Sequence, residues 1–288
     1  MTEKDEFEEI RKQKAIDSEL EHTEESKEDS RKSHQEILSE QIEEGEAIYD
    51  INERSILISS FTAGLEIGFS YLLMGAVVTF FTGKLSEEAV MKMTTFVYPV
   101  GFIMVILGRS ILFTEQTSLL SLPVLNNKRS VWDLFKLWGL VITGNLSGGF
   151  LMSGILIWIG PKLGISDHAA VEDIAIHVTD HPWFVILVSA ILAGWLMGLL
   201  SWLLTSSRDT VSRILVIYMI TAIMGFTGLH HSIVGNVEAF SGLVVSPEID
   251  AWEYLRFIGL ALMGNGIGGV VFVALLRYRA FINNIEDL

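Results

Sequence analysis

The sequence predicts an all-α membrane protein: six transmembrane helices in two inverted three-helix repeats, with the second and fifth helices broken. Three observations predict it. Six apolar blocks are each long enough to cross a bilayer. Two of them are too long for one straight span and carry polar residues in the middle. A GNxxGG motif occurs twice, once in the third block and once in the sixth.

The composition points the same way. The chain has 288 residues, 50% of them hydrophobic, and a mean hydropathy of +0.44. That is too apolar for an ordinary soluble domain. The net charge of −15 is unevenly spread: residues 1–54 hold 19 acidic and 8 basic side chains, which is −11 of it. No basic patch suits a nucleic acid. The chain has no cysteine, so thiol chemistry and thiolate metal sites are excluded. No nucleophile, cofactor motif or metal cluster points to an enzyme, and neither a cofactor nor a metal is expected.

Residues 1–54 read as an acidic cytoplasmic tail, disordered or loosely helical, because dense charge and few large apolar side chains disfavour a packed core. Within it, Ile37, Ile42, Ile48 and Ile51 have a partial helical spacing, which allows a short amphipathic helix beneath the membrane domain. The N-terminus lacks the apolar core of a cleavable signal, so the first span is expected to direct insertion. The transmembrane domain covers 55–280, with spans at about 56–81, 96–124, 137–159, 183–204, 214–245 and 254–276. Residues 281–288 form a cytoplasmic C-terminal end.

Loop charges set the orientation. Lys128, Arg129, Lys136, Arg208, Arg213, Arg277 and Arg279 fall on one side; Lys84, Lys92, Lys162 and Arg256 fall on the other. Seven against four places both termini in the cytoplasm of a cell's inner (plasma) membrane.

The fifth block, 214–245, would be roughly 48 Å long as one helix, against a bilayer core of about 30 Å. Its glycines and polar residues, GFTGLHHSIVGN from Gly225 to Asn236, fall in the middle. The second block has the same shape, with Arg109, Ser110, Thr114, Glu115 and Gln116 inside it. GNxxGG at Gly144 and again at Gly264 separates the halves by 120 residues, and three spans per half make the halves inverted. Interrupted segments at matching places in inverted repeats point to a midplane site. The GNxxGG glycines are read as close helix packing, with the asparagines hydrogen-bonding between helices.

These residues resemble the formate/nitrite transporter family. The resemblance is carried by Leu112-Phe113-Thr114 after the second-span break, GNLSGG in the third span, His231-Ser232-Ile233 at the fifth-span break and GNGIGG in the sixth. It covers about Phe61 to Tyr278, and is nearest to a divergent subgroup with a long acidic tail and GRSxLFTE. It implies an aquaporin-like fold, a homopentamer in the lipid bilayer with one pore per subunit, and passage of small monovalent anions such as formate or nitrite, often with a proton. It implies that His231 is the central pore histidine and that Thr114 faces it. Leu112, Phe113, Tyr98, Phe102 and Met224 then fall at or near dry constrictions. The chain departs from the family at Arg109, Ile111, Glu115 and Gln116, at Met224 in place of a phenylalanine, and at Gly194 in place of a pore asparagine. It also lacks a lysine before the fourth span, and Asn236 comes one residue late.

Charges inside a membrane are functional candidates by default. Here they are Glu66, Arg109, Glu115 and Glu238. Arg109 either pairs with Glu115 or Glu66 to hold the loop bearing Thr114, or faces the pore. His230 must point away from His231 and is read as a packing residue; Asn236 is a further support. An aquaporin-like conduit for a neutral solute and a non-conducting scaffold or sensor stand as rival readings.

Overall fold

The computed structural model describes residues 13–14 and 32–286. The tail expectation for 1–12 and 15–31 lies outside the described residues. Among the described residues there are helices and turns and no strand. The helices are α1 (His34–Tyr49), α2 (Glu53–Phe81), α3 (Glu87–Met93), α4 (Pro99–Leu107), α5 (Phe113–Leu119), α6 (Ser121–Leu125) and α7 (Val131–Leu163). There follow α8 (His168–Thr179), α9 (Trp183–Ser206), α10 (Thr210–Thr227), α11 (Ser232–Val245), α12 (Ala251–Gly269) and α13 (Leu276–Glu286), with a π-helical turn at Val270–Leu275 joining the last two.

Among the described residues six segments are long and apolar enough to cross a membrane: Glu53–Phe81, Glu87–Leu107, Val131–Leu163, Trp183–Ser206, Thr210–Thr227 and Ala251–Asn283. The second starts at Glu87 rather than near residue 96. Ser86 accepts a hydrogen bond from the Ala89 amide, and Glu87 and Glu88 lie in the first turn, where carboxylates favour the positive helix end. Those charges hide the start of the helix from a hydropathy reading. Both expected breaks are present: α4 stops at Leu107 and α5 begins at Phe113, while α10 stops at Thr227 and α11 begins at Ser232.

The two halves are built alike. α7 lies along α2, and α12 lies along α9. Small residues let these backbones meet: a Cβ on Gly148 would lie 2.1 Å from the Phe61 carbonyl oxygen, and one on Gly268 would lie 2.1 Å from that of Ile191. The half-helices interlock the repeats, α5 packing on α9 and α11 on α7 and α8. The breaks therefore meet at the centre of the bundle.

Both ends of the described chain lie on one face of the bundle, where α1 docks. Ser33 caps it reciprocally with Glu36. Ile37, Leu38 and Ile42 bury against Leu122, Trp202, Tyr278, Phe281 and Ile282, each contributing roughly 1.5–3 kcal/mol. Gln41 Nε2 donates to Ser201 Oγ at 3.0 Å and to Thr205 Oγ1 at 3.1 Å. Over 34–49 the tail is thus a regular helix, because one stripe of an otherwise charged segment is apolar and matched by the bundle.

The His34 ring lies 4.9 Å from that of Trp202, tilted by 43°. Burial, and then the Arg277 guanidinium, hold its imidazole below the ordinary histidine range. The neutral ring is the docked form, so docking is complete above pH about 6.5 and weakens as pH falls through the depressed value. Hydrogen exchange over 34–49, corrected for intrinsic rates, is expected to speed up on acidification in the wild type. His34→Gln is expected to flatten that dependence; equal pH dependence in both would contradict it.

Candidate functional site

The two breaks match atom for atom. After α4 the chain turns through Arg109 at φ 58°, and after α10 through Gly228 at φ 67°. The Ser110 amide then donates to Val105 and the Leu229 amide to Met224, both at 3.0 Å across five residues, the left-handed stop common at helix ends. Next, the Ile111 amide donates to Ser59 Oγ and the His230 amide to Ser189 Oγ, both at 3.1 Å. The GNxxGG asparagines close each break. Asn145 Oδ1 accepts from the Phe113 amide at 2.8 Å, and its Nδ2 donates to the Ile111 carbonyl at 2.9 Å. Asn265 Oδ1 accepts from the Ser232 amide at 2.7 Å, and its Nδ2 donates to the His230 carbonyl at 3.0 Å. Each asparagine thereby brackets one residue, Leu112 in the first half and His231 in the second. Buried broken backbone requires such partners.

Leu112 and His231 are where the repeat stops being symmetric. Each occupies the N-cap of a half-helix. His231 Nδ1 accepts from the Ile233 and Val234 amides at 3.2 Å each. An acceptor nitrogen carries no proton, so the proton of the neutral ring is on Nε2. Nε2–H then donates to Thr114 Oγ1, 2.7 Å away. Thr114 accepts from the ring, which frees its own hydroxyl proton for another acceptor. The pair joins α5 to α11 at the centre of the bundle. The Phe102 ring meets the imidazole edge-on at 5.0 Å, and Tyr98 lies against Phe102 at 5.3 Å.

Three cavities lie along this line. On the termini face, a vestibule of about 800 Å³ is lined by Arg109, Glu115, Arg213 and, from α1, Glu40, Glu43 and Glu44. On the opposite face, a vestibule of about 1090 Å³ is lined by Glu87, Glu88, Lys92, Asp173 and His177. Beneath the latter, sharing Met91, His177, Gly225 and Gly228 with it, a cavity of about 50 Å³ reaches His231, Tyr98, Met224 and Glu238. A water needs roughly 10–15 Å³ by that measure, so a particle of a few heavy atoms fits. Thr114, Phe102 and Leu112 are buried and line neither this cavity nor the termini-face vestibule.

Tyr98, Phe102, Met224, Thr114 and His231 are therefore brought together. Leu112 is buried and lines none of the three cavities. Phe113 points elsewhere: its ring packs edge-on against Trp138 at 5.5 Å and lines none of the three cavities. Arg109 is exposed to the termini-face vestibule, and among the described residues it forms no ion pair with Glu115 or Glu66. Among the described residues Glu66 Oε2 is buried without a partner. His230 is fully used in packing, with Nδ1 on Ser189 Oγ at 2.8 Å and Nε2 on the Val178 carbonyl at 3.1 Å. Asn236 accepts from Tyr254 Oη at 2.7 Å and donates to the Leu146 carbonyl at 3.3 Å, joining α11 to its neighbours. Two placements go beyond the sequence reading. Asn145 and Asn265 hold the breaks, and Glu238 joins His231 in one cavity. The second was legible, because residues seven apart share a helix face.

A family model described as formate/nitrite transporter matches residues 35–279. The chain belongs to the formate/nitrite transporter family. Among relatives, it is 28% identical over 251 residues to inner membrane protein YfdC of Escherichia coli (strain K12), covering 85% of this chain and 78% of that one. Among solved structures it is similar to an FNT family ion channel, with TM-score 0.74 and 22% identity over 85% of this chain and 98% of that one. It is also similar to a pentameric formate channel with formate bound, with TM-score 0.68 and 18% identity over 80% and 98%. These two likenesses establish the fold that this family member shares with them, the aquaporin-like six-helix bundle expected above. It is a multi-pass membrane protein of a transporter family.

Proposed function

We propose that the chain passes a small monovalent anion of a weak acid, of the formate or nitrite kind, between the two vestibules by way of Thr114 and His231. The observation that carries this reading is the 2.7 Å Thr114–His231 hydrogen bond at the end of a cavity sized for a few atoms. The ring holds the hydroxyl so that its proton faces a passing acceptor, and Tyr98, Phe102 and Met224 keep the neck apolar. An apolar neck makes a bare ion costly and a neutralised acid cheap. At the termini-face vestibule Arg109 and Arg213 stand among the Glu40, Glu43 and Glu44 carboxylates and offset part of their repulsion of an entering anion. A homopentamer is supported by the likeness to a pentameric channel. Loop charges favour both termini in the cytoplasm.

Uptake of formate, nitrite, acetate and glycerol into proteoliposomes at two pH values tests the reading. Anion uptake above protein-free vesicles, larger at the lower pH, is the expected result. Glycerol uptake without anion uptake would replace it with a neutral-solute conduit, and no uptake at all with a scaffold.

A further inference from the structure

The cavity that ends at His231 holds a second ionisable side chain. Glu238 lies seven residues along α11 from His231, is 6% exposed, and lines the same cavity of about 50 Å³. Among the described residues its carboxyl has no hydrogen bond and no ion pair, and no lysine or arginine lines this cavity. The titratable groups around it are His231 on its own helix, Tyr98 at the entry to α4, His177 of α8 and Tyr71 of α2. α7 and α12 bring none to the cavity, and Glu115 of α5 lines the vestibule on the other side of the neck. A carboxylate without a cation or donor is the costly form in such a place; a carboxylic acid is not.

His231 is poorly placed to supply a proton. Its Nδ1 is held by two backbone amides, so an imidazolium would have to break the start of α11. Its Nε2 proton is engaged by Thr114, and releasing that proton would leave an imidazolate. Taken with the anion reading, on which this inference rests, the geometry points to Glu238 as the proton donor of the pathway. A weak-acid anion enters the cavity past His177 and Met91. The Glu238 O–H bond breaks as an O–H bond forms on the anion. The neutral acid moves on past Thr114, and the Glu238 carboxylate takes a proton from solution in the wider vestibule that shares His177. One proton and one anion cross together and no net charge moves.

The test uses the full chain in proteoliposomes, with formate as the probe, a pH-sensitive dye in the lumen and protein-free vesicles as baseline. Glu238→Gln cannot release a proton. It is expected to assemble as the wild type does and to lose at least about tenfold of protein-mediated formate uptake, together with the accompanying lumen acidification. Glu238→Asp is expected to keep coupled uptake with a displaced pH midpoint. Wild-type uptake and acidification in Glu238→Gln would overturn the role of Glu238 alone. A wild type that takes up no formate, nitrite or acetate would remove the anion reading, and this inference with it. Should Glu238→Gln fail to assemble, Glu238→Asp decides: a displaced midpoint supports the role and an unchanged profile overturns it.

Discussion

His231→Phe is expected to remove pH-dependent anion uptake while leaving the protein assembled. Phenylalanine fills the space of the imidazole, so the apolar neck around Phe102, Tyr98 and Met224 keeps its packing. It removes the Nε2–H donor to Thr114 and the Nδ1 acceptor for the Ile233 and Val234 amides. The lost cap costs about 0.5–2 kcal/mol of helix stability, an amount the buried packing of α11 on α7, α8 and α12 can absorb. The lost donor acts on transport. Without it the Thr114 hydroxyl is free to turn its proton elsewhere, and an oxygen of the passing acid left without a donor in the dry neck costs about 1–3 kcal/mol, so uptake is expected to fall roughly five- to a hundredfold. Thr114→Val should give the same loss from the other side of the bond, and the double variant should lose little more than either single one. The measurements are formate uptake into proteoliposomes at two pH values and size-exclusion behaviour in detergent. Wild-type flux in an assembled His231→Phe protein would mean that the ring serves the backbone and not the passage.

The parts of this arrangement that follow from periodicity and hydropathy were open to a sequence reading. The long apolar runs mark the spans, and the overlong 214–245 marks a break because a helix of that length outruns the bilayer core. The repeat of GNxxGG marks the inverted halves. Rotation about the helix axes was not legible. Periodicity in Leu112-Phe113-Thr114 does not tell which of three successive side chains faces the centre once the helix is interrupted, and only the family resemblance pointed to Thr114; Phe113 turns to Trp138 while Thr114 turns to His231. The start of α3 was hidden because Glu87, Glu88 and Lys92 are charged, although Ser86 before two glutamates is a helix-start signal. Docking of α1 was masked in the same way, by acidic residues around a narrow stripe of isoleucine and leucine. The Arg109 partner could not be chosen, because pairing depends on distances that the broken segment sets: Arg109 and Glu115 line one vestibule yet form no ion pair among the described residues.

Asn265→Ala is expected to be among the most damaging single substitutions in the chain, with Asn145→Ala beside it. Asn265 is fully buried and supplies the acceptor for the Ser232 amide and a donor for the His230 carbonyl. Neither group has a helix partner, since one begins α11 and the other precedes it. Alanine leaves both unpaired and dry, at about 1–3 kcal/mol each, or roughly 2–6 kcal/mol in all. Asn145 does the same for the Phe113 amide and the Ile111 carbonyl. The two sites sit in different halves and share no hydrogen-bond partner, so their effects should add. A fold stabilised by about 5–15 kcal/mol would not survive the pair. Asn283→Ala, at an exposed position near the C-terminal end, is the matched control. Thermal unfolding in detergent and the yield of assembled protein are the readouts: each buried variant should melt lower than the control, and the double variant should not be recovered. A surviving Asn265→Ala protein should also lose flux, because the residue that this asparagine brackets is His231. Unchanged melting in both single variants would show that the breaks are held by packing, and that the matched hydrogen bonds on either side of Leu112 and His231 contribute little.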